Sequence, residues 1–505
     1  MVEMLSRESR VRIPRNLPRP EGLKLIPEEM ARKYTVIPLE VVDNTLRVGM
    51  ANPSDIFAME ALASQSQMRI EPLSIHQTEI LEAIDLNYKC YDKIEKQASS
   101  ISLSSAATKK QIIIDSVANT PMAQTLSLII EEAVKARATD IHLQPEEDKL
   151  RLRFRIDGTL HDMLALPLNI ATPLITRVKV LANMNIADQL RPQDGQLSVN
   201  AKGRKLDVRV ATIVTVHGEM AALRLLDKSR VNMDLSQLGF LPQSQAQYEK
   251  MLKFPYGMIV VSGPTGAGKT TTLYASINGL DRNELNIITI EDPVEYRFKN
   301  INQIQVNAKA GITFASGLRS ILRLDPDVIL VGEIRDSETA NIAVQSALTG
   351  HLVLSSIHAN DSTGVIARLL DLGVEPSLIS SSLIGVVAQR MVRRICPDCA
   401  RDIQTPLLEK ITYNNEMGEE KTEFNYGEGC ELCSDTGYKG RLGIFEILQM
   451  SDAVRGLVLN NATPSQLREQ AIKDGMVTMM RDGMLKVRAN ISTPSEILRS
   501  VYTTD

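Results

Sequence analysis

Gly263-Pro264-Thr265-Gly266-Ala267-Gly268-Lys269-Thr270 decides how the chain is read. It follows Gly257-Met258-Ile259-Val260-Val261, a buried-strand pattern, and opens a helical stretch, Thr270-Thr271-Thr272-Leu273-Tyr274-Ala275. Strand, glycine-rich turn and helix start in that order are the setting a phosphate-binding loop requires. Glycines let the backbone wrap closely, so that several N–H groups and the helix N-terminus point at the phosphate anions. Lys269 is expected to reach the β and γ phosphates of ATP and the Thr270 hydroxyl to ligate Mg²⁺, with Thr271 beside it.

Working outward, Asn286 to Ile290 reads as a buried strand ending in Glu291-Asp292-Pro293-Val294-Glu295. A second, Asp327 to Val331, ends in Gly332-Glu333-Ile334-Arg335-Asp336, and a third, His351 to Ser356, leads into Ile357-His358-Ala359-Asn360-Asp361. Strands alternating with helical stretches predict a doubly wound parallel α/β sheet. Ligands of such sheets lie beyond the carboxyl ends of the strands. Glu333 is therefore assigned to the attacking water, and Glu291 with Asp292 to the magnesium side. The alternative reading of these acids is exposed helix-cap carboxylates. Gly332 stands where a phosphate-loop enzyme usually has Asp, which leaves the metal's acidic partner open. On spacing alone, histidines bracketing an apolar strand are more often structural than catalytic.

The chain's 505 residues exceed one ordinary core, so several domains are expected. A hydrophobic fraction of 43% with 23% charged residues is that of a globular protein and excludes disorder. No apolar run approaches the ~20 residues needed to cross a bilayer, and Met1 to Arg19 lacks the apolar core of a secretory signal, so a cytoplasmic location is expected. A net charge of −4 supplies no global pull toward nucleic acid. The domain reading is 1–92, a Ser/Ala/Lys-rich linker at 93–110, a second domain at 111–235 and the phosphate-loop domain at 236–505. Within the second domain, Leu150 to Ile156 alternates in polarity and Asp157-Gly158 signals a hairpin turn.

Cys396-Pro397-Asp398-Cys399 and Cys430-Glu431-Leu432-Cys433 are separated by 30 residues. Each C-x-x-C pair places two thiolates on one metal, and two pairs complete a closed tetrahedral Zn²⁺ site with no open position for catalysis. The insertion they fold spans about 396–433, and its role is structural. Cys90 reads as an inert free thiol.

With the phosphate loop, Glu291 to Glu295, Val331 to Asp336, and Thr349-Gly350-His351 to His358-Ala359-Asn360 in this order, the chain resembles the secretion ATPases of type II secretion and type IV pilus systems. The resemblance covers roughly 111–505. Ala138-Thr139-Asp140-Ile141-His142, Arg191-Pro192-Gln193-Asp194-Gly195 and Val216-His217-Gly218-Glu219 extend it into the second domain. It implies a RecA-like ATPase domain preceded by a PAS-like α+β domain and a small N-terminal α+β domain. It further implies a homohexamer whose nucleotide site lies between domains, with Arg209 and Arg224 reaching the γ-phosphate and His351 and His358 acting as γ-phosphate or coupling residues. Without the family, those arginines are polar positions on alternating strands.

Within the family, a tetracysteine insertion and an extra N-terminal domain mark assembly motors rather than retraction motors. The implied partners are an inner-membrane platform protein and a membrane-anchored docking protein, so the location is peripheral to the inner membrane. The paired motif with which some relatives bind cyclic di-GMP is not found. A nucleic-acid translocase, as in conjugation or DNA uptake, is the competing reading. An aromatic content of 4% weakens it, since single strands are gripped by stacking in a cationic groove. The basic run Arg390-Met391-Val392-Arg393-Arg394 is read as a contact for nucleotide, neighbour or acidic partner, or else as a solvated face.

Overall fold

The computed structural model describes residues 20–84 apart from 43, 78 and 82, then 121–201, 204–227 and 233–501. The expected linker at 93–110 and Cys90 lie outside the described residues. The chain divides into two compact units, 1–227 and 228–505.

In the first unit, β1 (Val36–Val42), β2 (Thr45–Met50) and β3 (Arg69–Ser74) form a small sheet in that order. β1 and β2 pair antiparallel, and β2 and β3 parallel through the crossover helix α1 (Ile56–Ser66), whose N-cap Asp55 accepts from the Ala58 N–H. A separate core fills a six-stranded antiparallel sheet of order β6-β5-β4-β9-β8-β7. Its strands are β4 (Ala138–Pro145), β5 (Lys149–Ile156), β6 (Thr159–Pro167), β7 (Gln193–Ala201), β8 (Arg204–Thr215) and β9 (Gly218–Asp227). β5 shows why one face is buried: Leu150, Leu152, Phe154 and Ile156 alternate with Arg151, Arg153 and Arg155. Strand periodicity sends the apolar set against α2 (Pro121–Lys135) and α3 (Ala171–Leu181) and leaves the arginines on the other face. The turn to β6 puts Asp157 at φ 48° and Gly158 at φ 92°, the left-handed pair that a two-residue hairpin demands.

The second unit carries a seven-stranded sheet of order β12-β11-β13-β14-β10-β15-β18. Its strands are β10 (Gly257–Ser262), β11 (Ile287–Glu291), β12 (Asn302–Gln305), β13 (Val328–Val331), β14 (Leu352–Ile357), β15 (Leu383–Ile395) and β18 (Tyr438–Gln449). All pairings are parallel except β15 with β18. Met258 and Val260 belong to one core and Ile259 and Val261 to another, so the sheet is packed on both faces. That two-sided burial is why β10, β11, β13 and β14 are buried at every position and read as largely apolar runs, the signature of a parallel sheet.

One core packs α4 (Pro242–Leu252) and α5 (Lys269–Asn278). The other packs α6 (Phe314–Ile321), α7 (Ser337–Leu348), α8 (Ser362–Asp371) and α9 (Pro376–Ser382). Between β15 and β18 the chain makes an excursion holding a two-stranded sheet, β16 (Ala400–Gln404) with β17 (Glu423–Gly427), and α10 (Leu407–Met417). The helices α11 (Asp452–Leu459), α12 (Pro464–Lys473), α13 (Met479–Arg488) and α14 (Pro494–Val501) complete the unit.

Candidate nucleotide site and metal centre

The glycine-rich segment forms a loop between β10 and α5, at the carboxyl end of the sheet's inner strands. Two of its glycines are required by conformation and space. Gly268 caps α5 at φ 88°, a left-handed conformation costly for other residues. Gly263, at φ 145°, packs so closely that an added Cβ would lie 2.5 Å from the Gln389 carbonyl oxygen. The crest, Pro264, Thr265 and Gly266, is exposed, as is Thr270 at the start of α5, while Ala267 is buried and Thr271 half-buried. Lys269 turns back on its own loop, its Nζ donating to the carbonyls of Gly263 at 2.7 Å and Pro264 at 3.2 Å. Those carbonyls hold the ammonium where phosphate oxygens would receive it.

Glu333 follows β13 and His358 follows β14, so adjacent parallel strands deliver both to the end where β10 delivers Lys269. His358 Nδ1 lies 3.5 Å from Lys269 Nζ, and its Nε2 lies 3.7 Å from Glu333 Oε2. Arg335, which sequence reasoning gave no role, pairs with Glu333 at 2.5 Å. Burial lowers the Lys269 ammonium from its ordinary value; Glu333 opposes the shift and Arg390 adds to it. Burial and Lys269 likewise push His358 below 6.5. Glu333 opposes that shift, whose direction favours the neutral ring, able to accept on one nitrogen and donate from the other.

Gly332 has a steric explanation. A Cβ there would sit 3.3 Å from both Glu291 Cα and the Ile290 carbonyl oxygen, so an acid at this position would crowd the neighbouring strand.

Two expected members of the site stand elsewhere. His351 precedes β14, six residues before the carboxyl end, about 20 Å away at strand rise. Its backbone carbonyl accepts from Gly257 N, at the start of β10, and its Nδ1 lies 2.8 Å from the Ser346 carbonyl. Two histidines flanking a six-residue strand occupy its opposite ends, which removes His351 from the phosphate loop. Glu291 is only 3% exposed. Its carboxylate accepts from Tyr274 Oη, from Thr289 Oγ1 at 2.6 Å and from Gln303 Nε2 at 3.2 Å. It ties β11 to α5 and β12 from inside the sheet, whereas Asp292, next in sequence, is exposed.

A sequence profile described as type II/IV secretion system protein matches residues 115–499, and one described as MshEN domain matches residues 7–91. The chain belongs to the type II/IV secretion system protein family. It is 38% identical over 491 residues to the type IV pilus assembly ATPase PilB of Myxococcus xanthus, covering 95% of this chain and 86% of that one. It is 46% identical over 387 residues to type II secretion system protein E of Klebsiella pneumoniae, covering 77% of each. Among solved structures, the pilus retraction motor PilT with bound ADP superposes with a TM-score of 0.51 at 26% identity, covering 74% of this chain and 96% of that one. The Legionella pneumophila ATPase DotB shares the fold at 19% identity, with a TM-score of 0.55 over 74% of this chain and 94% of its own. The family makes this chain an ATPase of the secretion and pilus-assembly type.

In this secretion-family chain, the four paired cysteines come together. Their sulfur atoms all lie within 4.8 Å of one another. Cys396–Cys430, Cys430–Cys433 and Cys399–Cys433 are 3.7, 3.7 and 3.9 Å apart. A tetrahedron of thiolates at a Zn–S distance of about 2.3 Å has edges of about 3.8 Å. Backbone N–H groups of Gly429 and Cys430 point at Cys399 and Cys433 sulfurs, at 3.3 and 3.1 Å. The four residues fit Zn²⁺ and would hold it as a closed structural site.

The first unit of this family member sets Arg209 and Arg224 directly opposite each other across β8 and β9. Asp140 pairs in register with Arg224 on one side and Arg155 on the other, and accepts from Arg224 Nε at 3.1 Å. Three arginines and one aspartate thus share a row across the open face of the sheet. Such a row carries excess positive charge and suits an anion.

Proposed function

We propose that the chain is the motor subunit of a ring-shaped ATPase that powers assembly of a type IV pilus or a type II secretion pseudopilus. The observation that carries this reading is the convergence of Lys269, Glu333 and His358 at the mouth of the glycine-rich loop, in a chain of this family.

On this reading the ATP phosphates lie over the loop N–H groups, and Lys269 exchanges its two loop carbonyls for the β and γ phosphate oxygens. Mg²⁺, held through Thr270 and an acid beyond β11, would neutralise charge on those oxygens. Glu333 orients and deprotonates the attacking water, and the guanidinium of Arg335 holds that carboxylate in place. Neutral His358 bridges Glu333 and Lys269 and senses the γ position. Arg209 and Arg224 neutralise the charge that spreads over the transferred phosphoryl group. Their clustering on one sheet face around a single aspartate supports this. The assembly is a homohexamer that works on an inner-membrane platform protein and docks through its first domain, at 1–92, to a membrane-anchored partner. No helix among the described residues is long and apolar enough to cross a membrane.

The test is ATPase rate against protein concentration, for the wild type and Glu333→Gln, with Mg²⁺ and Zn²⁺ present and with or without DNA. A specific rate that rises with concentration, ignores DNA and falls by roughly 10²- to 10⁴-fold in the variant supports the reading. A rate unchanged by Glu333→Gln removes Glu333 from catalysis, and strong stimulation by DNA makes the chain a nucleic-acid translocase instead.

A further inference from the structure

β15 is apolar over its first half and then turns polar with two buried side chains, Gln389 and Arg390. Leu383 to Ala388 are buried and, apart from a single glycine, apolar, and then Gln389 is 2% exposed. A buried amide in a parallel sheet is unfavourable unless both its ends are satisfied, and packing alone would be served by Leu or Met. Here both are. Gln389 Nε2 donates to the Ala267 carbonyl at 2.6 Å, and Gln389 Oε1 accepts from Thr272 Oγ1 at 2.7 Å. Ala267 lies in the glycine-rich loop and Thr272 in the first turn of α5, so one side chain joins the loop to the helix it feeds. The Ala267 carbonyl has no proton to give, which fixes the amide's orientation.

The strand's placement explains the reach. β10 and β15 run parallel, and their last paired residues are Ser262 and Ala388. At that level β10 leaves the sheet as the loop while β15 continues beneath it. Gly263 sits on the Gln389 carbonyl, and a Cβ on Gly268 would lie 3.2 Å from Gln389 Nε2 and 3.3 Å from Met391 Sδ. Both glycine ends of the loop therefore rest on Gln389.

Arg390, the next residue, points to the opposite face of the strand. It is 6% exposed, and its Nη2 lies 3.2 Å from the backbone oxygen of Asn360 and 3.3 Å from Asn360 Oδ1, just past His358.

We infer that Gln389 and Arg390 form a two-sided brace, Gln389 positioning the phosphate-binding loop and Arg390 positioning the histidine loop. The first sets how well the N–H groups converge on phosphates already present in both ADP and ATP. The second sets where His358 stands relative to Glu333, which matters only when the γ-phosphate is attacked. Neither residue touches the reacting atoms. This rests on the nucleotide reading of the loop.

The two roles separate in measurement. Gln389→Met keeps side-chain volume and removes both hydrogen bonds; the expected result is a rise of about ten-fold in the Kd for ADP, with kcat at saturating ATP within about two-fold of wild type. Arg390→Lys, which keeps the positive charge that Lys269 feels but loses the guanidinium's reach to Asn360, is expected to do the reverse, lowering kcat about ten-fold with the ADP Kd nearly unchanged. Thr272→Val removes one of the two Gln389 bonds and should raise the Kd about three-fold, non-additively with Gln389→Met. If thermal melting shows that Gln389→Met does not fold, Thr272→Val alone decides, and an unchanged Kd in it overturns the inference. A folded Gln389→Met with a lowered melting temperature and an unchanged Kd makes the glutamine merely structural, and a shift of the same constant by both variants removes the division of roles. Wild type that binds no ADP refutes the nucleotide reading itself, a different failure from wild type that binds while the variants match it.

Discussion

Glu291 and Asp292 are neighbours in sequence with opposite surroundings, and a substitution at each separates a fold-holding carboxylate from a metal-facing one. Glu291 has three donors aimed at two buried oxygens. Glu291→Gln turns one oxygen into an NH₂ group facing a donor, and is expected to cost about 1–3 kcal/mol in urea unfolding while leaving the Mg²⁺ dependence of turnover nearly unchanged. Asp292→Asn is expected to leave stability alone and to raise several-fold the Mg²⁺ concentration giving half-maximal rate. The reverse pattern would put Glu291 at the metal. Sequence showed that acids follow the strand but not which one leaves the sheet, because that depends on strand alternation and on Tyr274 and Gln303 reaching from other elements. His351 and His358 teach the same lesson: an apolar run names a strand, and only its direction says which flanking residue meets the ligand. Gln389 was out of reach for another reason, since its two partners lie more than a hundred residues away in sequence. The available signal was an amide closing an apolar run, just ahead of the basic cluster.

At the level of elements, the basic run after Gln389 was legible as a cluster but not as an anchor. Arg390 is buried, and Arg393 stacks on Tyr438 at 4.1 Å and donates to Glu496 at 2.7 Å, so only Arg394 fits a solvated face. Glu496 is the point by which α14 docks on β15. It is 1% exposed and accepts from Arg499 at 2.6 Å and from the Arg393 backbone N–H at 3.1 Å. Burial opposes its ionisation, but hydrogen bonds from Arg499 and Arg393 outweigh burial and hold the carboxyl below its ordinary 4.5. The folded protein therefore binds this proton less readily than the unfolded chain. Its stabilisation is present above that value and is lost as pH falls below it. Glu496→Gln is expected to cost about 3 kcal/mol at pH 7, because it leaves the guanidiniums without their anion. The gap in stability between wild type and variant, followed by denaturant unfolding, should narrow below pH 4.5.

The cysteine excursion makes a second element-scale prediction. One Zn²⁺ per chain is expected by metal analysis, and chelation should expose the amides of 396–433 to hydrogen exchange while those of β10 to β14 stay protected. Loss of protection across the whole sheet would show that the metal holds more than its own insertion.

On the scale of the whole chain, each core cluster lies entirely within one of the two units. A fragment of 233–505 is accordingly expected to unfold cooperatively and to bind ADP as the full chain does. It should turn over ATP at least 10³-fold more slowly, because Arg209 and Arg224 are missing. Full turnover in the fragment would end their assignment to the phosphate. The parallel sheet of the second unit, covered on both faces, was readable from its apolar runs, and the hairpin from Asp157-Gly158, because those signals are local. The order of strands was not, since β15 and β18 reach their places by long connections.

That last connection has a consequence of its own. The excursion with the cysteines leaves the sheet at Ile395 and returns at Tyr438, and these two residues are register partners on adjacent antiparallel strands. Departure and return are thus the two sides of one open hairpin. Exchanging the stretch between them for another module whose ends meet at strand spacing needs no rethreading of the sheet, but the replacement has to cover the apolar face that Tyr413 and Phe424 share with Met479, Met484 and Ile497. The junction is thus a port at which a protein engineer can mount another module that brings its own apolar cover.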